Sequence, residues 1–391
     1  MNLADLKRWP QAELIDTPDA LHRCIQQWEG LKVLGVDSES NSFFAYRDRL
    51  CLLQVTADGK DYIVDPLPLG DELKALNPLL GNPDIVKIFH AAEYDLMLLR
   101  QDLGADVRGL FDTQVSMTLL NYQRTGLAHL LEENYGLKVS KKEQRSDWGR
   151  RPLSSSQIEY ARTDTHFLPD LYQRLNDELQ SLDLMEVAHG EFRRLEVEVL
   201  EPRKINLKGW KRMKQARGLN PEAKARLREL FQWRELTAER VDKPAFRILS
   251  NETLIDLATS PPAEMRELAG RRGIGWPKAK KVGEEIMAAL GEAVGKVIDG
   301  PLAPKMDATE RRQRKQQREN YESLRSWRKN TADELGLPSE RLIHRRHLEQ
   351  ISKQLPRTRE DLLRTVSLND WQRQNLEDSL LELLAKLPDP K

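Results

Sequence analysis

The chain has 391 residues, of which 39% are hydrophobic and 32% are charged, with a net charge of zero. This length predicts two or three domains, and the high charged content is typical of a helix-rich soluble protein. Two cysteines, Cys24 and Cys51, are too few for a disulfide framework or a four-ligand zinc site. Since no apolar run reaches transmembrane length and no signal peptide is recognisable, we expect a cytoplasmic protein that does not bind membranes.

The charges are unevenly distributed along the chain. Residues 1–200 contain 22 Lys and Arg against 33 Asp and Glu, whereas residues 201–391 contain 40 against 29. One interpretation is an acidic half that uses metal ions beside a basic half that binds a polyanion. The other is that basic helices simply have solvated faces. The charge pattern alone leaves both open.

The N-terminal region begins with an amphipathic pattern that predicts a helix over residues 12–30. Three β-rich runs follow, and Asp58-Gly59 between the last two is a strong hairpin signal. We therefore expect an antiparallel meander, with strands at 33–38, 50–55 and 61–65.

After the meander the pattern alternates between strand and helix. A short apolar strand is predicted at 85–89. Such alternation predicts an α/β fold with a mixed sheet flanked by helices. The helices are predicted at 72–80, from about 93 to 99, at 112–121, at 126–135 and at 156–182.

Acidic side chains occur on three of these elements. Asp37 and Glu39 are two apart on a strand and so share one face, and Asp95 lies at the start of a helix after the strand at 85–89. Tyr160 and Asp164 are four apart on a late helix and share a face too. A lone Asp-x-Glu usually marks a strand entering a polar loop, but four carboxylates without Cys or His clusters suit Mg²⁺ or Mn²⁺. Two such ions about 4 Å apart can hold both oxygens of a phosphodiester displacement.

These residues form motifs that resemble those of the DEDDy group of 3′–5′ exonucleases, on an RNase H-like fold, and within that group the ribonuclease D family. The resemblance covers nearly the whole chain. The motifs are Asp37-Ser38-Glu39, His90-Ala91-Ala92-Glu93-Tyr94-Asp95 and Tyr160-Ala161-Arg162-Thr163-Asp164, with the connecting segments Phe111-Asp112-Thr113 and Asp147-Trp148.

The resemblance implies a mechanism and a substrate. Asp37, Glu39, Asp95 and Asp164 would bind two divalent ions, Mg²⁺ or Mn²⁺, and Tyr160 would position the attacking water. The substrate would be RNA with a free 3′ end, such as transfer RNA precursors and small structured RNAs, cleaved by a monomer to nucleoside 5′-monophosphates. We expect a structural role for His90, because a histidine that ends a buried strand usually forms structural hydrogen bonds.

The C-terminal half contains an internal repeat. At an offset of 94 residues, Trp233-Arg234 recurs as Trp327-Arg328, which predicts two copies of one helical module. These modules resemble HRDC (helicase and RNase D C-terminal) domains. We predict an exonuclease domain at 1–204, a first helical module at 205–293, a linker at 294–310 and a second helical module at 311–391.

Basic side chains in three places are candidates for RNA contacts, although solvated helix faces would look the same. They occur in a basic segment before Trp148, after the turn Gly273-Ile274-Gly275 and at the start of the second module. We expect Trp148, Trp233 and Trp327 to pack in the core. The candidates are Lys141, Lys142, Arg145, Lys278, Lys280, Lys281, Arg311, Arg312 and Arg314.

Two other functions share these features. A DNA 3′–5′ exonuclease of the proofreading or Werner type has the same three motifs, and no residue pattern here reads a 2′-hydroxyl. A nucleic-acid-binding scaffold with an inactive nuclease domain is the third reading, although the presence of all four carboxylates and Tyr160 counts against it.

Overall fold

The computed structural model describes residues 11–140, 142–202, 204–300 and 307–389. The chain divides into two compact units, which are described separately over these residues. The first unit takes residues 1–40, 50–201 and 306–391, and the second takes residues 41–49 and 202–305. The three domain boundaries inferred from the sequence stay a prediction.

The first unit is built on a mixed sheet, which in the described part of the chain has six strands in the order β1-β4-β3-β2-β5-β6. Strands β2, β3 and β4 are antiparallel neighbours, whereas β1 pairs with β4, β5 with β2, and β6 with β5 in parallel. The predicted meander and mixed sheet are therefore confirmed. The strands are β1 Glu13–Ile15, β2 Val33–Ser40, β3 Leu50–Ala57, β4 Lys60–Val64, β5 Val86–Phe89 and β6 Leu110–Asp112.

Helices flank this sheet, and the apolar side chains between the two layers form one large buried cluster. Two 3₁₀ segments, Gly70–Leu76 and Glu143–Arg145, lie among them. The helices are α1 Pro18–Trp28, α2 Pro66–Leu69, α3 Asn77–Gly81, α4 Glu93–Leu103, α5 Thr113–Leu119, α6 Leu127–Tyr135, α7 Ser155–His166, α8 Leu168–Ser181 and α9 Met185–Val197.

The β3–β4 connection has the geometry that its sequence predicts. Asp58 and Gly59 have φ angles of 47° and 70°. Both therefore lie in the left-handed region, which the two central residues of a tight type I′ hairpin turn require.

The predicted helix at 12–30 is wrong at its start. Residues Glu13–Ile15 form the edge strand β1, and the helix begins only at Pro18, where the Thr17 hydroxyl accepts a hydrogen bond from the Ala20 N–H. Thr17 and Pro18 suit an N-cap and first turn. A three-residue strand depends on main-chain hydrogen bonds to β4, which hydrophobic periodicity does not reveal.

Three further helix predictions need correction. The helix predicted at 156–182 is two helices, because Pro169 has no N–H to continue the ladder of α7. Residues 110–112, the last of them predicted helical, form strand β6, and Asp112 caps α5. The predicted helix at 72–80 is a 3₁₀ segment followed by the short helix α3.

The second unit consists of helices around a separate apolar core that includes Trp210, Leu227 and Leu254. Residues 41–49 belong to this unit, where the Tyr46 hydroxyl donates to Glu235 at 3.1 Å and the Tyr46 N–H donates to Asp242 at 3.1 Å. It contains the 3₁₀ segments Gly209–Arg212 and Lys214–Gly218 and the helices α10 Pro221–Arg240, α11 Ala245–Ile248, α12 Asn251–Thr259, α13 Met265–Gly270 and α14 Gly275–Glu292.

The second helical module completes the first unit. It has a core of its own, yet Leu337, Leu342 and Leu376 belong to the buried cluster of the sheet. Arg341 also pairs with the buried Glu191 of α9 at 3.4 Å. The helices of the module are α15 Ala308–Leu335, α16 Ser339–Leu342, α17 Arg345–Gln354, α18 Arg359–Thr365 and α19 Asp370–Lys386.

The predicted repeat is visible in equivalent hydrogen bonds. Arg234 donates to the Leu249 carbonyl and Arg328 to the Ile343 carbonyl, each at 3.1 Å. The indole N–H of Trp233 donates to Glu285, and that of Trp327 donates to Ser379. Every one of these partners is displaced by 94 residues, so the two modules share an internal scaffold. None of the described helices combines the length and apolar character needed to cross a bilayer.

One close contact generates a stability prediction. A Cβ atom on Gly35 would lie 3.0 Å from the Thr165 carbonyl oxygen and 3.2 Å from the Leu168 Cβ. Gly35→Ala should therefore lower the free energy of unfolding, measured by urea titration, by about 1–3 kcal/mol. Gly30→Ala is the matched control, because its added Cβ meets nothing closer than 3.9 Å. Equal stability of the two variants would contradict the close packing of α7 and α8 on β2.

Candidate active site

Two carboxylates of the site lie on the central strand β2. Asp37 and Glu39 are two residues apart, so both side chains leave the same face of the sheet. Strand β5 runs parallel to β2, and its pairing with β2 covers Val33 to Gly35. Asp37 and Glu39 therefore lie beyond the part of β2 that pairs with β5, near the carboxyl ends of both strands.

A third carboxylate and a phenol come from helix α7. The Ser154 hydroxyl accepts from the Gln157 N–H, and the Gln157 side chain accepts from the Ser154 N–H, so a capping box fixes the start of this helix. Tyr160 and Asp164 follow one turn apart, so the phenol and the carboxylate share one face of the helix.

Asp95 lies in the first turn of helix α4, after β5. The Ser38 hydroxyl donates a hydrogen bond to Asp95 Oδ1, so the residue between Asp37 and Glu39 orients the carboxylate of the next motif. The Asp95 side chain is buried, and its charge helps to raise the pKa of both Asp37 and Glu39.

The turn that leads into α4 is held by Asp112. The Asp112 carboxylate accepts hydrogen bonds from four backbone N–H groups, two in the turn and two at the start of α5. Ala91, in that turn, has a φ angle of 65°, which is unusual for a residue with a Cβ. Asp112 thus stabilises the strained turn at Ala91 and Ala92, just before Asp95. The partners are the N–H groups of Ala91, Ala92, Gln114 and Val115.

Three of the four predicted carboxylates form a tight cluster. One carboxylate oxygen from each of Asp37, Glu39 and Asp164 lies within 4.8 Å of the other two. Burial, first, and the neighbouring negative charges, second, raise the pKa of Glu39 to about 9 and that of Asp37 well above its ordinary range. Burial likewise raises the pKa of Asp164 and of Asp95 to about 7.

This donor set fits a divalent cation. Mutual repulsion in a poorly solvated site disfavours the ionised carboxylates, and a cation bound among them removes that cost. Carboxylate oxygens without thiolate or imidazole partners are the ligands of Mg²⁺ and Mn²⁺. The assignment of individual residues as metal ligands, including Asp95, stays a prediction.

Tyr160 remains a neutral phenol in this environment. Burial, and then the charges of Asp164, Glu39 and Asp37, raise the pKa of the Tyr160 hydroxyl above its usual value of 10. Tyr160 therefore does not act as a phenolate base near neutral pH, but its O–H can donate a hydrogen bond.

His90 has structural contacts. Its Nδ1 lies 2.8 Å from the Thr113 hydroxyl, which in turn donates to the Phe89 carbonyl. Burial lowers the pKa of His90, which keeps the ring neutral. These contacts connect the end of β5 to the start of α5.

The candidate RNA contacts occur in both units, and most of their side chains are exposed. Trp148 is 1% exposed and packs near Tyr160, as expected of a core residue. Lys141 lies outside the described residues. Of the others, Lys142 precedes and Arg145 ends the 3₁₀ segment before α7, Lys278, Lys280 and Lys281 are on α14, and Arg311, Arg312 and Arg314 are on α15.

Sequence reasoning assigned no role to Ser38 or Asp112. An acidic residue between an apolar run and a helix is an N-cap signal that could have identified Asp112 as the cap of α5. Its two hydrogen bonds to the turn before α4, and the contact between Ser38 and Asp95, join residues at least 20 positions apart, and no local pattern predicts them.

Comparisons with known proteins agree with this site. The family described as 3′–5′ exonuclease matches residues 12–180, and the HRDC domain matches residues 223–290 and 317–384. Over 64% of the chain, it is 34% identical to the exosome complex exonuclease RRP6 of Saccharomyces cerevisiae. The chain covers only 28–36% of the length of this protein and of the animal exosome components that it matches.

Relatives of similar length and solved structures complete the comparison. The catalytic core of RRP6 from Trypanosoma brucei, at 26% identity, superposes with a TM-score of 0.68 over 73% of this chain and 80% of its own. Ribonuclease D of Xanthomonas oryzae is 32% identical over 90% of this chain and 93% of its own length. The chain therefore belongs to the ribonuclease D family of 3′–5′ exonucleases and carries two HRDC domains.

Proposed function

We propose that the protein is a metal-dependent 3′–5′ exoribonuclease that releases nucleoside 5′-monophosphates by two-metal-ion hydrolysis. The observation that carries this proposal is the meeting of Asp37, Glu39 and Asp164 within 4.8 Å, with the phenol of Tyr160 beside them. In this proposal Asp95 completes the set of ligands.

In this proposal the charged carboxylates bind the metal ions and the neutral phenol donates a hydrogen bond. Two divalent ions, when bound, supply a water of lowered pKa and stabilise the charge on the attacking and leaving oxygens. The four carboxylates hold those ions, and Ser38 orients Asp95. Tyr160, kept neutral by its raised pKa, donates its hydrogen bond and so positions the attacking water beside the scissile phosphate.

The substrate class follows from the family and from the charges of the helical modules. The protein's relatives include a ribonuclease D and an exosome exonuclease, and residues 201–391 have a surplus of basic side chains. We infer that the modules bind the RNA backbone while the 3′ end enters the carboxylate cluster. Transfer RNA precursors and small structured RNAs are the proposed substrates. The two cysteines are buried and form no disulfide, which suits a reducing compartment such as the cytoplasm.

The first prediction concerns catalysis. Asp37→Asn should abolish hydrolysis of a 3′-extended RNA in Mg²⁺ or Mn²⁺ while leaving RNA binding largely intact, because it removes a metal ligand. Tyr160→Phe should lower kcat about 100-fold, because it removes the O–H that positions the water. Gel-based single-nucleotide release measures both. A wild-type protein that leaves RNA intact, or that degrades only a matched DNA strand, would contradict the proposal.

The second prediction concerns metal-free stability. Since the folded carboxylates retain protons that the unfolded chain releases, the free energy of unfolding should fall by several kcal/mol, on the order of 5, as pH rises from about 5 to 9. Mn²⁺ should reverse this loss at high pH. Glu39→Gln should flatten the decline and weaken the response to Mn²⁺, whereas Glu72→Gln, at an exposed site, should do neither. A pH-independent stability would refute this electrostatic account.

The third prediction concerns RNA affinity. The slope of log affinity against log salt concentration should become shallower by about 0.7 for each phosphate contact removed. Lys280→Gln with Lys281→Gln should show this change, as should neutralisation of Arg311, Arg312 and Arg314. The charge-matched control is Lys32→Gln with Lys60→Gln on the exonuclease domain. If the control shifts the slope equally, net charge rather than the helical modules determines binding.

A further inference from the structure

The rear face of helix α7 carries two polar side chains that the proposed chemistry does not use. Arg162 and His166 are one turn apart and lie about 200° around the helix from Tyr160 and Asp164. Arg162 is only 2% exposed. Burying a guanidinium is unfavourable unless it is paired and hydrogen-bonded, so the partner of Arg162 needs an explanation.

The partners of Arg162 include Asp61 of strand β4, which is 6% exposed, and Glu159 on the same helix at 3.4 Å. Arg162 donates to Asp61 Oδ2 from Nε at 3.2 Å and from a terminal nitrogen at 3.0 Å. The Nδ1 of His166 lies 3.0 Å from both Asp61 oxygens. Asp61 is thus hydrogen-bonded to two side chains from successive turns of the same helix.

Strand β3 extends this polar network. The Thr56 hydroxyl lies 2.9 Å from Asp61 Oδ1 and 2.9 Å from the Thr165 hydroxyl. Thr56 and Asp61 are directly paired in the β3–β4 ladder. Although burial alone would raise the pKa of Asp61, hydrogen bonds from His166, Thr56 and Arg162 hold it below its ordinary value, so Asp61 stays ionised near neutral pH.

The end of the same helix also rests directly on β2. The space above Gly35, two residues before Asp37, is filled by the Thr165 carbonyl oxygen and the Leu168 side chain. Helix α7 therefore contacts the strand that carries Asp37 and Glu39, and it is joined by hydrogen bonds to β3 and β4.

We propose that Asp61 and Arg162, with His166, are positioning residues that set the rotation of α7, so that Tyr160 and Asp164 face Asp37 and Glu39. The inference rests on the proposed metal site. A carboxylate about 5 Å from a helix axis moves roughly 1 Å when the helix turns by about 10°. A displacement of that size can lower a rate about 100-fold, because the reacting groups leave their productive geometry.

The test compares two Asp–Arg pairs with buried carboxylates in the full-length protein. Asp61→Asn should weaken Mn²⁺ binding, measured by calorimetry without RNA, about 10-fold, and should lower kcat on an RNA oligonucleotide about 10- to 100-fold. KM should change less than about threefold, because no substrate contact is removed. The matched control is Asp65→Asn, since Asp65 is 5% exposed and pairs with Arg151 at 2.5 Å, and neither residue is on α7. Asp65→Asn should retain the Mn²⁺ affinity and the kcat of the wild type.

Two substitutions of His166 provide a second test if Asp61→Asn does not fold. The side chain of His166 is 22% exposed, so its replacement should be tolerated. His166→Ala removes the donor to Asp61 and should weaken Mn²⁺ binding and kcat together. His166→Asn retains a donor at the place of Nδ1 and should restore both values. Circular dichroism confirms that each variant is folded.

The outcomes separate this inference from the proposed function. If the wild type binds Mn²⁺ and folded Asp61→Asn and His166→Ala variants bind it equally well with unchanged kcat, the positioning role is wrong and the nuclease proposal stands. The positioning role is also wrong if Asp65→Asn lowers Mn²⁺ affinity and kcat as much as Asp61→Asn does. A wild type that binds no Mn²⁺ at the carboxylates contradicts both.

Discussion

The repulsion among crowded, half-buried carboxylates is the constraint on which this structure depends. Asp37, Glu39 and Asp164 meet within 4.8 Å, and their raised pKa values show that the protein alone does not stabilise their ionised forms. Such an arrangement is unfavourable in isolation and is maintained only because the surrounding structure imposes it. A bound cation would relieve this repulsion, so the same carboxylate charges that destabilise the empty cluster would also favour metal binding.

Each acidic residue is held by contacts remote from it in sequence. The Asp112 carboxylate stabilises the strained turn before Asp95, and the Ser38 hydroxyl orients the Asp95 side chain. Helix α7 rests on Gly35 at one end and is joined to β3 and β4 through Asp61. These contacts use buried polar groups, which are costly when left unpaired and therefore resist small displacements.

The sequence predicted the parts of this arrangement that depend on local spacing. Asp37 and Glu39 share a strand face, Tyr160 and Asp164 share a helix face, and Asp58-Gly59 forms the hairpin, because each relation is fixed within a few residues. Strands β1 and β6 were not predicted, because a strand of three residues is too short to show a hydrophobic alternation. Neither the packing of Leu337 and Leu342 against the sheet domain nor the role of Asp112 is encoded locally, since both depend on distant segments.

Anomalous diffraction from crystals soaked in MnCl₂ would locate the cations directly. The proposed mechanism predicts manganese peaks among Asp37, Glu39, Asp95 and Asp164, with Tyr160 close enough to donate to a bound water, and loss of those peaks in Asp37→Asn crystals. Crystals of the wild-type protein without manganese at these carboxylates would contradict it.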